Sequence, residues 1–340
     1  MKRIITFGEI MMRLNPEGYL RFVQADKFEA TYAGGEANVA VSLCNYGMDA
    51  AFVSKVPAHE IGQAAVNELR RYGVDTSLMI RGGDRLGIYF AEKGASQRAS
   101  KVIYDRANSA ISLAKASEFD WEKIFAGADW FHWTGITPAL GGELPAICLE
   151  ACKAAKKLGL TISCDLNYRK KLWTREEAGK VMAELVPYVD VCIANEEDAK
   201  AVFGIAATDT DLNTGKLSHE GYISVAKQLT ERFGCKKVAI TLRGSISASD
   251  NDWAGMLYSD GKASFSPTYR VHIVDRVGGG DSFGGGLIYA LLSGYDDQKA
   301  INFAVAASCL KHSIDHDFNM MSVSEVESLA AGNTSGRVQR

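Results

Sequence analysis

Short apolar segments of strand character alternate with amphipathic segments of helical period along most of this chain, and that alternation restricts the fold more than any other feature. Arg3-Ile4-Ile5-Thr6-Phe7 reads as a strand that runs into a Gly8-Glu9 turn. The pattern turns helical from Ala37 to Tyr46 and returns to strand at Ala50-Ala51-Phe52-Val53, and Ile61–Tyr72 is a helix closed by Gly73, a natural C-terminal stop. The rhythm resumes with strands at Asp129–Trp133, Leu160–Cys164, Val189–Ile193 and Lys237–Leu242. Helices lie between them at about Glu143–Leu158, Glu176–Val186 and Glu220–Phe233. This order predicts an α/β fold, a mostly parallel sheet covered on both faces.

One region breaks the rhythm. Gly87–Ala91 and Ala99–Tyr104 flank a connection containing Gly94, and the second run alternates apolar and polar residues, which predicts a hairpin apart from the main sheet. With residues 11–33, which lack a helical period, the stretch 86–106 is expected to form a small β lid. No repeat or Pro/Ser-rich linker divides the chain, so residues 1–330 are read as one domain and 331–340 as a flexible tail.

Composition narrows the function. The net charge is −3, from 38 basic and 41 acidic residues, with no long block of one sign, so nucleic acid is not an expected partner. No run reaches the ~20 apolar residues of a membrane span, and the N-terminus carries no secretory pattern. Seven cysteines are scattered without a Cys-x-x-Cys motif, as expected of a reduced, cytoplasmic protein. His312 and His316 stand at helical spacing, but a pair without a third ligand reads as structural.

The strongest chemical signal is Val274-Asp275-Arg276-Val277-Gly278-Gly279-Gly280-Asp281-Ser282-Phe283. An extended segment ends in three glycines, and a helix begins at about Asp281. Bare amides at a helix start welcome an anion, and positioned N–H groups stabilise a phosphoryl group in transfer. A carboxylate beside that phosphate is placed to take a proton from an attacking hydroxyl. The plain alternative is an N-cap after a turn. Gly284–Gly286, each costing roughly 1 kcal/mol against alanine in a helix, favour close approach to a ligand. No Walker-type or Gly-x-Gly-x-x-Gly phosphate loop occurs.

The run from Asp275 to Asp281 resembles the C-terminal signature of the ribokinase-like (PfkB) carbohydrate kinases. Tyr32-Ala33-Gly34-Gly35-Glu36-Ala37-Asn38 resembles their N-terminal signature, and Asn195-Glu196-Glu197-Asp198 resembles their Asn-x-x-Glu element. The similarity runs from Gly8-Glu9 to about Asn319. It implies a three-layer αβα sandwich with a β lid, and ATP-dependent phosphorylation of a sugar hydroxyl assisted by Mg²⁺. By that resemblance Asp281 is the catalytic base and the amides of Gly278, Gly279 and Gly280 form the anion hole. Gly34, Gly35 and Asn38 would face the sugar. Asn167, Asn195, Thr241, Arg243, Gly244 and Asn302 would meet ATP, and Asp198 the metal, through water. A monovalent-cation site of some relatives, near Asp275, cannot be assigned from these residues. Pairing through the lid in some relatives leaves a homo-oligomer open.

Two arginines, Arg106 at the end of the hairpin and Arg169 after a central strand, could grip a carboxylate by paired N–H bonds. This pattern, with His316-Asp317-Phe318-Asn319, resembles the kinases of the family that act on 2-keto-3-deoxy-D-gluconate. The resemblance adds Tyr89, Tyr104 and Asp317 to the substrate shell. Arg106 as a lid ion pair and Arg169 on ATP phosphate remain open, as do a neutral-sugar kinase such as a fructokinase, or a sugar or nucleotide sensor without catalysis.

Overall fold

The computed structural model describes residues 2–206 and 219–336. The chain opens with β1 (Arg3–Phe7), β2 (Met11–Asn15), β3 (Glu29–Ala33), α1 (Gly35–Asn45) and β4 (Asp49–Val53). A short pair, β5 (Lys55–Val56) and β6 (Ile80–Arg81), brackets α2 (Glu60–Arg71), and the hairpin of β7 (Gly87–Glu92) and β8 (Lys101–Asp105) follows. Next come α3 (Trp121–Ile124), β9 (Trp130–Thr134), α4 (Ile136–Ala139), α5 (Leu144–Lys157), β10 (Thr161–Asp165), α6 (Arg175–Leu185), β11 (Val191–Asn195) and α7 (Glu196–Phe203). After α8 (His219–Phe233), the strands β12 (Lys237–Ser245), β13 (Asp250–Ser259), β14 (Lys262–Phe265) and β15 (Tyr269–His272) lead into α9 (Gly279–Leu292), α10 (Asp297–Lys311) and α11 (Val323–Ala330).

The main sheet runs β14-β13-β12-β11-β10-β9-β1-β4, with β15 also on β13. From β4 to β12 every pairing is parallel, and from β13 onward antiparallel. Alternate residues of each strand feed two cores, as a period of two requires. Ile5 and Phe7 of β1 join the core under α5, α6 and α8. Ile4 joins the one under α1, α9 and α10. The predicted parallel sheet with both faces covered is therefore present. The antiparallel edge lies beyond what the sequence signalled: the expected strand stops at Leu242, whereas pairing with β13 carries β12 on to Ser245.

A second sheet has the order β3-β2-β7-β8, with β2 and β7 parallel and the expected hairpin antiparallel. Residues 331–336 of the expected tail are exposed and form no helix or strand, and 337–340 lie outside the described residues. His312 caps α10, while His316 sits beyond it at φ 65, so the two do not share a helix.

Of Gly284–Gly286 inside α9, the last two serve packing between helices. A side chain on Gly285 would meet the Ser42 Cβ of α1 at 2.8 Å, and one on Gly286 the Ala304 Cα of α10 at 3.1 Å. This differs from the expected approach to a ligand. It seats α9 against both neighbours and so fixes where its first turn points.

Candidate active site

Parallel strands end on one edge of a sheet, and ligands of open α/β folds bind there. The residues following β1, β10 and β11 and the middle of β12 meet the start of α9 at this edge. Gly278 is the N-cap of α9 with φ 82, and a side chain there would run into the Asp317 carbonyl. Asp281 follows in the first turn of α9. Its Oδ2 accepts from Asn38 Nδ2 at 2.6 Å, and Asn38 Oδ1 accepts from the Gly34 amide at 3.3 Å. Gly35 adjoins the other carboxylate oxygen. Thus the two glycine signatures, 243 residues apart at the Asn38–Asp281 bond, build one site. Burial pushes the Asp281 carboxyl up to about 6; repulsion from Asp317 adds to this, while the Asn38 bond, Arg169 and Lys311 oppose it.

Asp281 opens into a cavity of about 220 Å³, which is also lined by Gly278 and Gly280. The first amides of a helix have no partner within it; those of Gly278 and Gly280 have none among the described residues. Gly279 differs from the expected anion hole. Its amide is directed to the Arg276 carbonyl at 3.4 Å, it does not line the cavity, and a side chain there would strike the His312 ring.

Asn167, Asn195, Asp198, Thr241 and Arg243 line the same cavity, with Asp165 and Arg276, which the sequence had not marked. Asn195 caps α7, accepting from the amides of Glu197 at 2.9 Å and Asp198 at 2.8 Å. Asp198 accepts from the Tyr168 amide at 3.1 Å, and Asp165 from that of Asn167 at 3.1 Å. Burial raises both carboxyls. Asp165 stands at about 8, with repulsion from Asp198 and Asp281 adding to burial. Crowded carboxylates facing a phosphate-sized space are a hard-oxygen donor set that suits Mg²⁺ held partly through water. Among the described residues no three acidic or histidine side chains group as a metal cage.

Gly244 and Asn302 are not brought into this cavity. Gly244 is paired with Asp252 across β12 and β13, and Asn302 accepts from Gln298 one turn earlier on α10.

A larger cavity of about 1540 Å³ lies between β8 and the loop after β10, lined by Tyr104, Arg106 and Arg169 among others. Arg169 and Asp198 line both cavities, so they stand at the junction. Arg106 differs from the expectation of a free fork. Its Nε donates to Glu9 at 2.8 Å and its Nη2 to the same oxygen, and it stacks over Tyr104. Nη1 is the nitrogen left for a ligand. Gly34 is a packing glycine against the Glu9 backbone.

Tyr89 and Asp317 line neither cavity. A buried arginine absent from the sequence reading explains why. Arg13 of β2 donates from Nη1 to Asp317 at 2.5 Å and from Nη2 to Asp275 at 2.6 Å, and Tyr89 donates to the other Asp317 oxygen at 2.6 Å. Lys311 Nζ donates to the Asp275 carbonyl at 3.2 Å. Glu36, likewise missed, accepts from Thr134 at 2.8 Å and Thr137 at 2.7 Å and is raised by burial to about 7. Only an unusual charge inside an apolar pattern, Met11-Met12-Arg13-Leu14, hinted at Arg13.

Comparison with known proteins gives the relatives of this fold. The crystal structure of a 2-dehydro-3-deoxygluconokinase from Thermotoga maritima is 54% identical, covers 97% of this chain and 98% of its own, and superposes with a TM-score of 0.94. A 2-dehydro-3-deoxygalactonokinase from Haloferax volcanii is 33% identical over 98% of both chains. An E. coli structure described as ribokinase II, in complex with ATP and Mg²⁺, shares 20% identity over 97% of this chain and 99% of its own with a TM-score of 0.81, a likeness of fold alone. The family model for pfkB family carbohydrate kinases matches residues 1–313, and the chain belongs to that family.

Proposed function

We propose that the protein transfers the γ-phosphoryl group of ATP to the terminal hydroxyl of 2-keto-3-deoxygluconate, giving the 6-phosphate and ADP. The observation that carries this reading is Asp281, poised at the start of α9 between Asn38 and the amides of Gly278 and Gly280, which have no partner among the described residues. Asp281 takes the hydroxyl proton as the oxygen attacks the γ-phosphorus and the bond to ADP breaks. The Gly278 and Gly280 amides donate to the phosphoryl oxygens, where charge spreads in the transition state. Mg²⁺, for which Asp198 and Asp165 supply the carboxylates, would neutralise phosphate charge. Arg243 and Thr241 lie on the nucleotide side.

The sugar enters from the larger cavity, with the second sheet as its lid. Its carboxylate meets Arg169 and Nη1 of Arg106, while Glu9 holds Arg106 in place. A neutral hexose offers these arginines no anion. The names of the relatives from T. maritima and H. volcanii agree on a 2-dehydro-3-deoxy sugar acid and differ at one stereocentre. We read the protein as a cytoplasmic enzyme, since all seven cysteines are unpaired and, among the described residues, no helix is long and apolar enough to cross a membrane.

The test is ADP release across a panel of 2-keto-3-deoxygluconate, its galactonate epimer, gluconate and fructose. The expected order places 2-keto-3-deoxygluconate first, with kcat/KM for fructose roughly 10- to 100-fold lower, the scale of a charge-assisted hydrogen bond that fructose cannot make. Equal use of fructose would overturn the sugar-acid assignment.

A further inference from the structure

Arg13 stands in the second sheet, yet both of its ligands belong to the catalytic edge of the main sheet. Its side chain is 1% exposed. Asp275, held by Nη2, opens the turn to α9; its other oxygen accepts from the Val277 amide at 3.1 Å, and its carbonyl accepts from Lys311. Asp317, held by Nη1, supplies the backbone carbonyl against which Gly278 closes. One planar fork therefore fixes the segment entering the turn and the segment packed on it. Tyr89, from the neighbouring strand β7, holds Asp317 from its second oxygen.

Stability alone does not account for this arrangement. A buried ion pair gains little over apolar residues of similar volume, because desolvation cancels much of the attraction. Here the Arg13 Nε–H also lacks an acceptor among the described residues, a further cost. What a guanidinium provides is direction, two parallel sets of donors in a rigid plane.

We propose that Arg13 is a positioning residue for phosphoryl transfer, which couples the second sheet to the glycine turn by clamping Asp275 and Asp317. The proposal rests on the kinase reading above. Through it the seating of the second sheet on the sugar sets where the Gly278 and Gly280 amides stand, and small misplacements of such groups are costly in rate.

The test compares Arg13→Lys, which keeps the charge but loses the fork, with Asp275→Asn, which loosens only the turn side of the clamp. Steady-state ADP release is measured with each substrate varied, and rates are divided by the folded fraction from a melting curve. For Arg13→Lys the expected result is a fall in kcat of about tenfold or more and a several-fold rise in KM for the sugar acid, with KM for ATP within about threefold. For Asp275→Asn it is a fall in kcat with the sugar KM unchanged. A kcat within about twofold of wild type in both folded variants, whatever the melting temperature, would make the clamp purely structural and overturn the proposal. Wild-type protein that releases no ADP with any sugar would overturn the kinase reading and this proposal with it. The two failures are thus told apart by the wild-type control.

Discussion

At the residue scale the proposed chemistry rests on one carboxylate, Asp281, whose surroundings raise it above the usual carboxylate range. Asp281 stands at about 6 because burial disfavours its charge and Asp317 repels it, against the bond from Asn38. A base must be ionised to act, so kcat/KM should fall about tenfold per pH unit below about pH 6. Asn38→Ala removes the bond that favours the ion, and its acid limb should move to higher pH; a limb that stays in place would detach this titration from Asp281. Linkage gives a second test. The folded-state pKa lies above the unfolded value of about 3.9, so folding is most favoured at low pH and that advantage is lost as pH rises through about 6. Asp281→Asn, whose amide oxygen can still accept from Asn38, should therefore stabilise the protein at pH 8 by roughly 1–2 kcal/mol, discounted for an opening to solvent, and leave it nearly unchanged at pH 4. Thermal melts at both values check the sign. Glycines before a carboxylate at a helix start read equally as an N-cap after a turn or as an anion site, and it is the resemblance of the two glycine signatures that singles out Asn38 and Asp281. Arg13 was not legible in this way. Its partners lie 262 and 304 residues away, and no local pattern records a contact made by tertiary folding.

At the scale of elements, α9 carries the site, and its glycines decide how closely it can be seated. Gly284 has ordinary room, with Ile193 at 3.6 Å, whereas Gly285 would press on Ser42 at 2.8 Å. Gly284→Ala should keep or raise the melting temperature, since alanine gains up to about 1 kcal/mol in a helix. Gly285→Ala should lose about 1–3 kcal/mol to overpacking in spite of that gain. Chemical denaturation of the two variants separates them, and equal effects would contradict the packing role. Sequence patterning located β1 at its observed bounds, and α1, α5, α6 and α8 within about two residues; α5, α6 and α8 have an apolar stripe, whereas β1 and α1 are continuous buried runs. It did not mark α7 or β13 to β15. Asn195-Glu196-Glu197-Asp198 advertises ligand chemistry more than a helix, though Asn195 is the cap. The antiparallel edge draws its strength from pairing with β12.

Across the whole molecule, two sheets meet where the sugar and nucleotide would converge. The main sheet presents strand ends and the α9 amides, the second sheet presents Arg13 and Tyr89, and Arg169 and Asp198 face both cavities. The layered fold was readable from alternation alone, and the second sheet from one hairpin that broke the rhythm. How the two sheets share charge was not, since it arises only once they are packed. The most direct measurement is turnover by Asp281→Asn at saturating ATP and 2-keto-3-deoxygluconate, alongside equilibrium binding of both. Binding within a few-fold of wild type is expected, with a kcat lowered by about 10³ to 10⁴. Near-native turnover with intact binding would remove Asp281 as the base.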